Sequence, residues 1–248
     1  MKAISLFKKI VTCFVAGIVT AALLLLLGNS GTIWWFPPPV VFSLVGISFV
    51  LALAFPYIWQ YNETKGSYNS IKIHAWLCAL IRYCIALDIA GFGWKKIFGL
   101  QFVVPLAMAE QPMNQQTGEW LTWYYFGHSL AFASIIAAIQ IGGSILLLFR
   151  KTVLIGAIIL FSLMLNITLI NIFYHMNTGG LVQSVVMTIG IVFLILLDYK
   201  RLIDFFLKSQ SNLAPHTLGS SFTKNIIPWA VILLPLLFTI YLSSMKFH

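Results

Sequence analysis

The sequence predicts an all-α fold, a polytopic membrane helix bundle, from three observations. Its 248 residues are 60% hydrophobic and only 8% charged. The mean hydropathy is +0.95. Its apolar residues fall in runs of about twenty, the length that crosses a bilayer at a helical rise of about 1.5 Å per residue. Such a composition excludes the ordinary soluble classes.

On that criterion the spans fall near 8–28, 39–59, 72–92, 123–148, 152–174, 180–197 and 226–244, about seven transmembrane helices in a single integral membrane domain, 1–248. The first follows Lys2, Lys8 and Lys9. Its apolar core is longer than that of a signal peptide, so it reads as a retained helix. The second follows "TIWWFPPP" and the fourth follows "EWLTWYYF", which set Trp34, Trp35, Trp120 and Trp123 at membrane interfaces, where amphipathic rings anchor. Before the seventh, "NLAPHTLGSSFTKN" (212–225) is polar and rich in turn formers, and reads as a loop. The segment from Gly99 to Trp120 reads either as an amphipathic stretch lying on the membrane or as a cover over a polar pocket.

Lysine and arginine set the orientation. With the amino terminus inside, the inner segments hold Lys2, Lys8, Lys9, Lys65, Lys72, Arg150, Lys151, Lys200, Arg201, Lys208 and Lys224, and the outer ones only Lys95, Lys96 and Lys246. The sequence therefore predicts an N-in, C-out topology. The net charge of +9 belongs to helix ends facing anionic headgroups, not to a nucleic-acid surface. Cys13, Cys78 and Cys84 all lie in apolar spans with no Cys-x-x-Cys pair, and read as buried fillers rather than metal ligands.

The third span, "LCALIRYCIALDIAGFGWKK", places Arg82 and Asp88 where a bilayer makes charge costly. Counted from Lys72, Arg82 lies about 15 Å along the helix and Asp88 about 24 Å. Six residues apart, they are not spaced for a pair on one helix face, so Arg82 needs partners on other helices. In the fourth span Ser129, Ala133, Ile136, Gln140, Gly143 and Ser144 form a stripe of small residues with one amide, the pattern of a close helix contact. Gln140 lies about 12 Å from the inner end. An Arg82–Gln140 contact is therefore expected, with Asn166, about 21 Å up the fifth span, capping it from above.

A second polar set gathers at the outer end: Asp88, Lys95, Lys96, His128, Asn171, Tyr174 and His175. An acid, two imidazoles, a phenol and two ammonium groups there suit proton exchange with a quinone head group, whose carbonyl oxygens accept hydrogen bonds and whose reduction needs protons. They equally suit an interfacial network without chemistry. Haem between His128 and His175 is disfavoured, since no ligation motif accompanies them.

The stretches "IRYCIALDIAGFGWKKI" and "IAAIQIGGSILLLFRKTVLIGAIIL" resemble the DoxX-like family of small bacterial membrane proteins. The resemblance implies a four-helix core over 70–200, with two additional helices in 1–69 and a loop and C-terminal helix in 201–248. The family's helix arginine corresponds to Arg82, its Gly-x-x-Lys to Gly93 and Lys96, its acidic residue before Gly-Gly to Gln140 with Gly142 and Gly143, and its basic turn to Arg150 and Lys151 before Gly156. Members are associated with thiosulfate:quinone oxidoreductase and with thiol or oxidative-stress complexes. That implies the bacterial cytoplasmic membrane, quinone as cofactor and an extracytoplasmic or membrane redox partner. This chain departs at Gln140, because an amide cannot carry a proton as a carboxylate does.

Three readings stand. The first is a quinone-linked redox subunit, with Asp88, His128, His175 and Lys96 as catalytic candidates and Arg82, Gln140, Asn166, Asn171 and Tyr174 as binding candidates. The second is a non-catalytic scaffold or assembly partner. The third is a small-anion carrier using Arg82.

Overall fold

The computed structural model describes residues 4–28, 33–208 and 221–245, and these are helical almost throughout. Helix α1 (Leu6–Gly28) is followed by α2 (Pro38–Thr64). The latter opens on Pro38 and Pro39, whose fixed φ and missing N–H suit a first helical turn. Helix α3 (Ser70–Ile97) is capped by Asn69, whose side chain accepts from the Lys72 N–H at 3.2 Å. It runs past the expected end at 92 because Lys95 and Lys96 suit the negative end of the helix dipole. What stops it is Gly99, at φ +65°, with the Gly99 and Leu100 N–H groups on the carbonyls of Lys96 and Lys95 at 3.2 and 2.8 Å.

The expected single span 123–148 is two helices, α5 (Gly118–Gly127) and α6 (Leu130–Leu148), preceded by the short α4 (Leu106–Ala109). Ser129 causes the break. Its backbone is extended and its hydroxyl accepts from the Phe132 N–H at 3.3 Å, so a serine inside an apolar run acts as a helix start. Helices α7 (Val153–Phe173) and α8 (Thr178–Leu197) match their expected spans within two residues. Next come α9 (Tyr199–Ile203), a π-type turn Asp204–Lys208, and α10 (Ser221–Met245). Of the expected 212–225 loop, 212–220 lies outside the described residues and 221–225 is already helical.

Contacts divide the chain into two compact units, Met1–Lys200 and Arg201–His248. In the first, six helices are long and apolar enough to cross a membrane: α1, α2, α3, α6, α7 and α8. They leave large apolar side chains exposed, among them Phe42, Val50 and Leu53 on α2 at 64–65% exposure. Faces of this size are unstable against water and at rest against acyl chains. The protein is a multi-pass membrane helix bundle. In the second unit α10 carries a shorter apolar stretch, Trp229–Ser243.

Helix α3 is the hub of the first unit, packed against α1, α6 and α8. Its Ile81, Ile85 and Ile89 are at most 1% exposed, as are Val19 of α1 and Met187 and Ile191 of α8. Close approach rests on glycine where it is tightest. A Cβ on Gly190 would lie 2.8 Å from Ile85, and one on Gly93 2.8 Å from Ile141.

Candidate functional site

The register of α3 against α6 decides what the third-span charges meet. Gly93 packs on Ala137 and Ile141. Counting back along the antiparallel pair sets Arg82 opposite the turn that follows α6, and Gln140 opposite Phe92, about 15 Å away along the axis. The expected Arg82–Gln140 contact is therefore not made. Arg82 instead lines a groove with Ile145, Phe149, Arg150 and Lys151. It donates from Nη2 to the Tyr83 hydroxyl at 3.1 Å and lies 4.9 Å from that ring's centre. The sequence estimate failed because α3 starts well before the level of the α6–α7 turn, so depths counted from the two helix ends are not comparable. Asn166 does not cap this pair either. Its side chain is exposed on α7.

Asp88 is the polar centre of the bundle. It is 1% exposed and accepts from Nε2 of Gln183 on α8, which also donates to the Ala22 carbonyl of α1 at 3.2 Å. One amide thus joins three helices. The other carboxyl oxygen of Asp88, Oδ1, is buried with no partner among the described residues. One position further on, α8 meets α7: Asn171 donates to Ser184 Oγ at 2.8 Å and to the Gly180 carbonyl at 3.0 Å, and Thr168 and Thr188 share a bond at 2.9 Å. Asn171 is thus a hairpin staple, not a pocket group.

His128, Tyr174 and His175 are exposed, whereas Asp88 is buried. His128 ends α5, with its N–H on the Tyr124 carbonyl at 2.8 Å. His175 is in the left-handed region at φ 51°, and the next N–H, of Met176, returns to the Asn171 carbonyl at 3.1 Å. That is the conformation of a helix stop, usually taken by glycine. Among the described residues no three His, Cys, Asp or Glu side chains cluster as metal ligands, and Cys13, Cys78 and Cys84 are free.

The remaining candidate, Lys96, occupies the most distinctive site. It is 6% exposed. Its Nζ donates to Gln101 Oε1 at 3.0 Å and reaches the Phe92 carbonyl at 3.5 Å. The rings of Phe102 and Phe92 stand 5.5 and 5.9 Å away, close enough for a buried ammonium to be held partly by ring quadrupoles. No carboxylate pairs with it among the described residues. Phe102 has a φ of 67°, which is strained for a bulky residue. Stacking on Phe126 at 5.3 Å and an edge contact to Trp123 at 6.1 Å hold it there. Gly127 gives its carbonyl room, since a Cβ would lie 3.0 Å from that oxygen. Trp123 is therefore part of an aromatic wall, whereas Trp34 and Trp35 are exposed, as interface anchors require. On the facing helix, Gln140 is 2% exposed with Oε1 unpartnered among the described residues. It lies at the level of Phe92, the turn to which Lys96 reaches back.

Sequence reasoning missed Gln101, Phe102 and Gln183, and above all Lys9. Lys9 is fully buried, ion-paired to Glu63 and bonded to Gln60 Oε1 at 2.7 Å. Two signals were present: Glu63 is the only acidic residue before Asp88, and Lys9 shares a helical stripe with Thr12, Cys13 and Ala16. No family model matches the chain, and no curated protein and no solved structure matches it.

Proposed function

We propose that this chain is the membrane subunit of a quinone-linked redox system, with the head-group site at Lys96. The observation that carries the reading is a buried ammonium with no carboxylate partner among the described residues, set among flat aromatic faces and bonded to the Gln101 amide. A quinone ring, when bound, supplies two carbonyl oxygens that accept hydrogen bonds and a face that stacks. Lys96 has a donor to spare for such an oxygen, and Phe102 with the wall behind it offers the face. Gln140, at the level of Phe92 on the facing helix, has a buried Oε1 without a partner among the described residues, an acceptor suited to a hydroxyl of the reduced ring. Asp88 lies on the α1 and α8 side of α3 and serves as a buried carboxyl within the bundle rather than as a group touching the ring. His128 and His175 drop out of the catalytic set.

The resemblance to the DoxX-like family supports this reading and suggests a thiol or thiosulfate donor delivered by a partner protein. The excess of Lys and Arg at one end of the bundle supports an orientation with the amino terminus inside and the carboxyl terminus outside, and the family resemblance supports a bacterial cytoplasmic membrane. The carrier reading loses its motive, since Arg82 faces the α6–α7 turn.

The test is quinone binding by the full chain in lipid nanodiscs, read by quenching of tryptophan fluorescence. Lys96→Met should weaken binding by about tenfold or more, the scale of a lost charge-assisted hydrogen bond. Melting should stay close to wild type. Equal affinity in the two proteins, or no binding by wild type, would overturn the proposal.

A further inference from the structure

The groove beside Arg82 is independent of the Lys96 site. It holds about 650 Å³ between α3 and the α6–α7 turn, and three cations line it: Arg82, Arg150 and Lys151. No acidic residue does among the described residues. Three like charges in one groove repel each other and concentrate the field that attracts an anion. We propose that this groove binds the phosphate of an anionic phospholipid.

Arg82 separates this site from an ordinary basic turn. Arg150 and Lys151 are exposed loop residues, as any basic membrane turn would have. Arg82 arrives from a different helix, twelve residues after α3 begins at Ser70, and brings its guanidinium to the same groove. Its Nε is buried without a partner among the described residues, while Nη2 is turned to Tyr83. A guanidinium has five N–H donors, and its planar fork suits two oxygens of one phosphate. Thr152 does not compete for the ligand, because its hydroxyl donates to the Leu146 carbonyl at 2.7 Å and closes the turn.

The rest of the lining selects a lipid over free phosphate. Ile145, Leu148 and Phe149 border the cations and are themselves exposed. An apolar wall running from a cationic end matches a molecule with a charged head and an acyl chain. Inorganic phosphate would use only the charged end.

The experiment reconstitutes the full chain into nanodiscs of phosphatidylcholine with a minor share of phosphatidylglycerol, then extracts with mild detergent and measures co-purifying lipids by mass spectrometry. Wild type should retain phosphatidylglycerol over phosphatidylcholine beyond the input ratio, and excess inorganic phosphate should leave that retention unchanged. Arg82→Gln should reduce the enrichment by about tenfold. Because Arg82 is partly buried and its variant is at risk of misfolding, the double variant Arg150→Gln, Lys151→Gln on the exposed turn is the second arm, with the same expected loss. Retention at the input ratio in wild type, enrichment undiminished in both variants, or displacement by inorganic phosphate would each overturn the proposal.

Discussion

Lys9 stands three residues after the start of α1, yet its side chain is buried completely, with the Trp59 ring 5.2 Å from its ammonium. Its partner Glu63 keeps 17% of its side chain exposed, and that asymmetry gives a testable order. Glu63→Gln leaves a buried ammonium without its counter-charge and should cost about 3 kcal/mol of stability. Lys9→Met leaves a carboxylate that water can still reach and should cost less. The double variant should be more stable than Glu63→Gln alone, measured by thermal unfolding in one detergent; a double variant worse than both singles would refute the pairing. His175 gives the opposite sign. A non-glycine residue in the left-handed region is strained by about 1 kcal/mol, so His175→Gly should raise stability by about that amount and leave quinone affinity unchanged. Loss of affinity in this variant would restore His175 to the site. The role of His175 was not legible from the chain, and that of Lys9 showed only in the lone acid Glu63 and in its helical stripe. Composition shows that a charge or an imidazole is present, but burial and backbone conformation come from neighbours far away in sequence.

Helix pairing turns on which of two adjacent glycines faces the neighbour. At Gly143 a Cβ would lie 2.6 Å from Leu160, and at Gly156 one would lie 2.9 Å from the Gly143 carbonyl oxygen, a backbone atom that cannot rotate away. Gly142 has nothing within 4 Å. Gly156→Ala should therefore destabilise the α6–α7 pair by about 1–3 kcal/mol, while Gly142→Ala should be neutral or stabilising through helix propensity. The monodisperse fraction on gel filtration after mild extraction, with the melting temperature, separates the two; equal behaviour would mean the close approach is wrong. At this scale the sequence was a good guide. The spans were visible because hydrocarbon thickness fixes helix length. Of the stripe Ser129, Ala133, Ile136, Gln140, Gly143 and Ser144, all are buried as their spacing suggested except Ser129, which caps the start of α6. What escaped was register. A helix can slide along its neighbour without changing its own periodicity, so the level of Arg82 against Gln140 depended on the Gly93 contact with Ala137 and Ile141.

For the whole molecule, six long helices in the first unit mean that successive connections alternate between two faces, so the chain before α1 and the chain after α8 emerge on the same side. The turn at Lys65 and the turn at Lys151 then share one face, and the segment around Glu119 and the turn at Asn177 share the other. Two further observations join the members of the second pair. Asn177 donates to Glu119 Oε1 at 3.1 Å, and Gly118 packs so tightly on the Tyr174 backbone that a Cβ would lie 2.4 Å from its carbonyl oxygen. The first face carries the larger share of Lys and Arg, which predicts that it is cytoplasmic. Single cysteines at positions 65, 119, 151 and 177, in a background with Cys13, Cys78 and Cys84 replaced by alanine, test this in intact cells with a membrane-impermeant maleimide. Positions 119 and 177 should label from outside, and 65 and 151 only after permeabilisation. The reverse pattern would keep the bundle and invert its orientation, moving the Lys96 site to the cytoplasmic face and requiring a cytoplasmic electron donor. Labelling of 65 and 119 from the same side would break the alternation of helices, and the placement of Lys96 at the end of α3 and of Arg82 about 20 Å back along it would lose its membrane meaning.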